Sequence, residues 1–520
     1  MKITWLLLRT QIINYLSINE ILQSRNRKKS AVMMGIGMVA MVVFLFTYNV
    51  LTAQALVRMG EQDIIPAYMV ATSSYAILFL TMLRANGILF GSRDMDLLLS
   101  LPIKPSQIVS SKFMFMYLLN FFIGFIFMAP GGIVWMGNAP QDYLLFLLYF
   151  VSIFFVPLIP MCIASFIGLL VVLASSRFKN RNLFSLLFSF AALGLIGYIG
   201  VSNMKSGIEI ENLGAMLATQ ITGIYPLSKL FLSQTAFSQV AGPFAFIGLS
   251  VIVFYCFMKV ISVKYSIFDA LAKTSSRYIG NRKVKLKQQS PFLALYKKEF
   301  ARFLSSYMAV LNTGLGVILL CVSSLLLIVM SPEKLGHYMN VKDMNGFLTN
   351  YAPIVIAAMI SLSCPAASSL SLEGRNIWIL QSSPVSVRKI LDSKLAVNLT
   401  LHAVAYLLAV FALITRLRLN FLQILGLLFI SIAYSIFTSV LGVVLNKKFP
   451  NYAWENEMVV VKQSLPVIAA NTISMIAVAL PVLLHLILSL PMIQTLWGMA
   501  IVLIIASTIM YQKACKLSFI

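Results

Sequence analysis

The side chains that could do chemistry are few in this chain of 520 residues, which holds three histidines, five cysteines and 16 Asp and Glu together. No GxxxxGK[ST] run is present, so the chain has no P-loop with which to bind and split ATP. His337 stands in a polar connection, and His402 and His485 lie in apolar runs without an acidic neighbour. Asn398 is one helical turn from His402, which suits an interhelical hydrogen bond better than a proton relay. Cys162, Cys256, Cys321, Cys364 and Cys515 sit in or beside apolar runs without the spacing of a metal site, as buried unpaired thiols do. No nucleophile–base or metal constellation is visible, so no catalytic, cofactor or metal site is expected and the chain is not expected to be an enzyme.

The polar residues that do recur with a fixed spacing lie in two related segments. Residues 91–112 read GSRDMDLLLSLPIKPSQIVSSK and residues 373–394 read EGRNIWILQSSPVSVRKILDSK. Aligned without a gap, they share Arg93/Arg375, Leu98/Leu380, Ser100/Ser382, Pro102/Pro384, Ile108/Ile390, Ser111/Ser393 and Lys112/Lys394. A second echo pairs Arg177-Phe178-Lys179-Asn180 with Lys448-Phe449-Pro450-Asn451. Internal similarity of this kind marks a duplicated unit.

The elements that must position these segments follow from composition. Apolar side chains make up 60% of the chain and charged ones 11%, against roughly 45–50% and about 25% in soluble domains. So few charges cannot coat several water-facing surfaces, which excludes a soluble enzyme or a disordered scaffold. The apolar runs are about twenty residues long, the length of membrane-crossing helices rather than of barrel strands. Twelve spans are expected, near 31–53, 66–90, 112–136, 144–174, 184–203, 244–262, 306–330, 351–371, 394–415, 420–445, 464–488 and 494–512. Pro157 and Pro160 predict a kink in the fourth. The fold class is therefore all-α: a polytopic integral membrane protein of about twelve transmembrane helices in two parallel six-helix repeats.

Lys and Arg number 40, for a net charge of +24. With the N-terminus inside, nearly all of that excess falls in loops on one side, the stretch 263–302 alone carrying ten basic residues. Cytoplasmic loops collect Lys and Arg, so both termini are expected in the cytoplasm and the basic rim is expected to hold anionic lipid, not nucleic acid. Residues 1–16 do not read as a signal peptide, because Arg9 interrupts the apolar run. Arg84, near the inner end of the second span, is expected to snorkel. No Asp or Glu falls within a span, which counts against a proton- or sodium-coupled carrier. Each half opens with an amphipathic stretch; in the second, Leu293, Tyr296, Phe300, Phe303 and Leu304 form the apolar stripe, with Lys297, Lys298 and Arg302 off it. Residues 1–263 thus form the first half with its amphipathic helix, 264–290 a basic cytoplasmic linker, and 291–520 the second half.

The run Phe90–Pro102, followed by Ile108–Lys112, resembles the loop after the second helix of ABC-2-like, or type-two, ABC exporter permeases. Lys448–Glu457 with Val461-Lys462-Gln463 resembles an inner loop of the large fused twelve-helix bacterial members. The resemblance covers the whole chain in topology and about sixty residues in motif. It implies a bacterial plasma-membrane permease that exports an amphipathic substrate (peptide, lipid or drug) with energy from a separate ABC ATP-binding subunit. Two copies of that subunit would hold ATP and Mg, and this chain no cofactor. It further implies that the amphipathic stretches are connecting helices and that residues 92–106 and 374–388 are ATPase-coupling elements. Carried over, the coupling residues are Arg93, Asp94, Asp96, Leu98, Pro102 and Lys104 in the first, and Arg375, Trp378, Pro384 and Arg388 in the second. The second departs from the pattern, with Asn376 and Trp378 in place of the aspartates. The rival readings are an ion-coupled carrier, a lipid-modifying membrane enzyme, and an ATPase-associated sensor or immunity subunit. The outer segment 204–243, with Ile224-Tyr225-Pro226-Leu227, fits either a re-entrant helix of the family or a plain lid.

Overall fold

The computed structural model describes residues 2–15, 25–85, 98, 100–138, 143–176, 178, 181–202, 221–223, 225–232, 236–274, 289–339, 343–454, 457–462, 464–488 and 490–516. Among them every regular element is helical. The chain divides into two compact units, one of residues 1–27 and 35–281 and the other of 28–34 and 282–520.

The first unit holds α1 (Lys2–Tyr15), most of α2 (Arg25–Arg58), α3 (Ile65–Ala85), α4 (Pro105–Asn138), α5 (Tyr143–Ser152), α6 (Leu158–Ser175), α7 (Arg181–Ser202) and α8 (Ala236–Thr274). Pro157 lies at the break between α5 and α6, where the fourth predicted span is divided by a run of turns. The helix α8 continues to Thr274, so the first part of the expected linker is helical. Helix α3 packs against α4 and α6, with Asn120 donating from Nδ2 to Thr81 Oγ1 at 2.8 Å. Among the described residues of the segment 204–243, Ile221, Tyr225 and Phe231 are buried in the same apolar cluster as Met69, Val70 and Tyr149.

The second unit contains α9 (Pro291–Ser305), α10 (Tyr307–Thr313), α11 (Leu315–Val329), α12 (Met344–Ser361), α13 (Ile377–Ser382), α14 (Val387–Arg416), α15 (Phe421–Lys448), α16 (Leu465–Leu488) and α17 (Met492–Lys516). Ser290 caps α9, its hydroxyl accepting from Leu293 N, and Pro291 occupies the first turn, where its missing N–H costs nothing. Helix α15 is the central element, packed against α12, α14, α16 and α17. Helices α10 and α11 bend by 71° at Gly314.

A helix lies over each of the twelve predicted spans. By length and apolarity, ten among the described residues could cross a membrane, and the bent α10–α11 pair makes eleven. Helix α7 accounts for the remaining span; its apolar stretch, Phe184–Leu195, is short. Large apolar side chains such as Phe44, Phe122, Leu147, Ile252, Leu407 and Ile487 stand exposed along these helices. That surface is costly in water and suited to lipid.

Close backbone approach sets one packing distance. A Cβ at Gly316 on α11 would stand 1.8 Å from the carbonyl oxygen of Met359 on α12. Gly316→Ala must push the two helices apart, and the expected cost is about 1–3 kcal/mol, as for other overpacked cores. Thermal unfolding in detergent checks this: a Gly316→Ala protein as stable as the parent would contradict the packing.

Candidate functional site

At the end of the second unit that carries residues 371–390, helix α12 does not run on directly into the loop. It stops at Ser361, continues after Pro365 as a single turn, Ala366–Ser369, and passes through a 3-10 turn, Ser371–Asn376, into α13. Gly374 in that turn has φ of +59°, a left-handed conformation that costs a side-chain-bearing residue. The Trp454 ring closes over it, 3.2 Å from where a Cβ would be. Two sequence segments that looked separate are thereby joined. Trp454 Nε1 donates to Ser371 O at 2.7 Å, and Asn451 N donates to Ser371 Oγ at 3.0 Å. Asn446 Oδ1 accepts from Leu370 N and Ser371 N, while its Nδ2 donates to Ser371 Oγ.

Behind α13 lies a cluster of buried charges. The Lys394 ammonium, two turns into α14, donates to Glu299 Oε1 (2.8 Å), Glu373 Oε1 (3.0 Å) and Ser369 O (3.0 Å). An ammonium has three N–H groups, and all are used. Arg302 pairs with Glu299, reaches Glu373 Oε2 at 3.1 Å and donates to Ser369 O at 2.8 Å. Lys298 approaches Glu373 Oε2 at 2.9 Å from a more open position. The side chains of Lys394, Glu299 and Glu373 are only 1%, 4% and 5% exposed. Charges so far from water persist only when each is met by opposite charge and hydrogen bonds. The adjoining cleft encloses about 20 Å³, room for about one water and far too little for a transported molecule. The cluster is a clamp between elements: it ties α9 to α14 and to the turn that carries α13.

Helix α9 covers Tyr296, Phe300, Phe303 and Leu304 of the expected apolar stripe and exposes Lys297 and Lys298, while Leu293 is 39% exposed. Glu299, between the two faces, is buried, and Arg302 is largely covered. Glu373, just beyond the eighth predicted span, is buried at 8% exposure. Glu299 and Glu373 were not singled out by the sequence, which placed Arg302 only on a polar face and Lys394 only in the repeat. The available signal was the Lys112/Lys394 match: both lysines are buried, at 3% and 2% exposure. A lysine repeated at the start of a span, rather than in the loop before it, points to a partner inside.

The clamp leaves one face of α13 outward. Ile377 and Leu380 are buried against Ile390, with Leu295, Val385 and Tyr452 packed around them. Trp378 and Ile379 are 61% and 52% exposed. Burial, and then the Glu373 carboxylate, raise the Tyr452 phenol above its ordinary pKa, so it remains neutral there. Of the expected coupling residues, Arg375, Pro384 and Arg388 are exposed, as is Trp378. The backbone of Ser383 is extended before Pro384, which ends α13. Arg388 lies 4.0 Å from Asp392 Oδ2. In the first unit Pro102 and Lys104 are exposed and Leu98 is half-buried against the Ile108–Phe113 cluster. Arg93, Asp94 and Asp96 lie outside the described residues.

Higher in the same unit, His402 does what its pairing with Asn398 implied. Its Nδ1 is 2.9 Å from Ser435 Oγ and its Nε2 2.7 Å from Ser363 O, and Asn398 bonds Ala366 N and Ser439 Oγ. Both side chains satisfy the backbone and hydroxyl groups around the interruption of α12.

A chain of apolar helices with lipid-facing surfaces and two repeated spans-and-loop patterns is a polytopic integral membrane protein. The sequence model of a family described as "Membrane protein of 12 TMs" matches residues 29–513. The chain belongs to that family. No curated protein and no solved structure matches it.

Proposed function

We propose that this chain is the membrane-spanning permease of an ATP-driven exporter, and that α13 with its flanking residues docks in a groove of a separate ABC ATPase. The observation that carries this reading is the construction of α13. A helix of six residues cannot hold its shape alone in water. Here it is fastened from behind by Ile377, Leu380 and the buried ion clamp, and it offers Trp378 and Ile379 to the outside. An exposed Trp on a rigid mount, with the exposed Arg375 one turn before it, has the make-up of an interface anchor. A push on α13 would pass through Glu373 and Lys394 into α14 and through α9, since the clamp links all three.

In this reading the ATPase supplies ATP and Mg chemistry, one copy to each half, and its closure shifts the helices to expel an amphipathic molecule. The basic loops lie on the cytoplasmic side of a bacterial plasma membrane, against anionic lipid. An ATPase-coupled sensor would use the same docking surface; an ion-driven carrier would not need it.

Gentle purification from native membranes tests the proposal. A P-loop ATPase that co-purifies at about two per chain supports it, and a folded, monodisperse sample without one overturns it. Asp94→Lys with Asp96→Lys is expected to weaken that capture while leaving membrane insertion intact; unchanged capture would remove the first element from the docking surface.

A further inference from the structure

Three buried hydroxyls form a layer across the second unit that none of the foregoing uses. Toward the outer end, Ala357 of α12, Tyr434 of α15 and Ala477 of α16 share one apolar cluster, and Tyr434 donates from its hydroxyl to Ala477 O at 2.9 Å. Toward the other end, Cys364, Val443 and Ala470 share a second cluster, and a Cβ at Gly442 would stand 2.3 Å from Cys364 Sγ. The two levels lie about two helical turns apart on each helix, and about one turn from the first of them stand Ser361, Thr438 and Ser474. All three are fully buried. None of their hydroxyls has a hydrogen-bond partner.

Ser165 and Ser431 are also buried without a partner for the hydroxyl. Other serine hydroxyls of the second unit, such as those of Ser439, Ser464 and Ser507, donate to the carbonyl four residues back. Ser361, Thr438 and Ser474 are turned off their own carbonyls. Two further oxygens belong to the layer. Asn471 Oδ1, one turn from Ser474, is also buried without a partner. The carbonyl of Ser361 would normally be met by the N–H of residue 365, but that residue is Pro365 and has none. The carbonyls at the end of α12 carry the negative end of its dipole.

We infer that Ser361, Thr438, Ser474 and Asn471, with the Ser361 carbonyl that Pro365 cannot meet, form a binding site for a small monovalent cation. The donor set is oxygen only, which suits hard alkali ions rather than transition metals. It contains no carboxylate, so a divalent ion would remain uncompensated while a single charge can be met by carbonyl and hydroxyl dipoles. Interrupted helices in membrane interiors place ions where unwound backbone faces a polar interior, and the break at 362–365 has that form. The ion would brace the interruption that leads to Glu373 and α13. The site does not depend on the partner proposed above, since it is built from one unit's own side chains.

The test is ion binding by the purified full chain in nanodiscs, with thermal unfolding in NaCl against choline chloride at equal ionic strength and radioactive Na⁺ in equilibrium dialysis. Saturable Na⁺ binding is expected, with a rise in unfolding temperature that choline does not give. Thr438→Val and Ser474→Ala should raise the half-saturating Na⁺ concentration at least tenfold. Thr438→Ser, which keeps the hydroxyl, and Ser507→Ala, whose hydroxyl bonds its own helix, should bind as the parent does. If Thr438→Val does not fold, Ser361→Ala and Ser474→Ala carry the comparison. A folded parent protein that binds neither Na⁺, K⁺ nor Li⁺ overturns the inference and leaves the layer to water. So does Na⁺ binding that all the hydroxyl-removing variants retain.

Discussion

Replacing Lys394 by methionine should destabilise the second unit by about 3–5 kcal/mol, the cost of leaving buried charge without its partner. The ammonium is the centre of the clamp: it bonds Glu299, Glu373 and the Ser369 carbonyl at once and is the more deeply buried of the two cations that do so. Arg302 touches the same three groups from one side, so the carboxylates keep some compensation and the unit should loosen at this end first. Lys298→Met should differ sharply. Its side chain is 45% exposed, and an ion pair open to water contributes about 0–1 kcal/mol. Thermal unfolding of the two variants in detergent, each beside the parent, is the measurement. Equal stability losses for Lys394→Met and Lys298→Met would mean that the cluster is not the tight clamp described. Replacing Lys394, Glu299 and Glu373 together by apolar or neutral side chains of similar size should recover part of the loss, because the desolvation cost disappears with the charges.

Trp378→Ala should leave stability nearly unchanged and weaken capture of the ATPase at least thirtyfold. The side chain is 61% exposed, so the free chain loses little when it is removed. At an interface, a central Trp commonly contributes 2 kcal/mol or more, which is about thirtyfold in affinity. Pull-down from native membranes against the parent, with unfolding temperature measured on the same sample, separates the two effects. A Trp378→Ala chain that captures the ATPase as well as the parent would remove α13 from the docking surface. Ile377→Asp gives a useful contrast. Ile377 is buried under α13, so that change should release the helix and lower both stability and capture.

How far the sequence reached can be judged from particular residues. The twelve apolar runs were legible because water forbids them and lipid requires them, and a helix stands over each. The break at Pro157 was legible for the same local reason: a ring without an N–H interrupts the ladder. His402 and Asn398 could be paired because i and i+4 share a helix face. The identity of Lys112 and Lys394 was visible too, but the match alone did not say that the lysine faces inward.

What the sequence by itself determined about this protein is its solvent, its helical class and the repeated loops that its helices carry. Those follow from residue type and from periodicity within one segment. Tertiary structure alone decided that Glu299, 74 residues before Glu373 and 95 before Lys394, meets them both. It alone decided that Trp454 closes over Gly374, and that the hydroxyls of Ser361, Thr438 and Ser474 are buried without a hydrogen-bond partner. Such meetings depend on which faces of different helices turn toward each other and at what height. Neither is encoded in the spacing within any one helix; both are set when the helices pack.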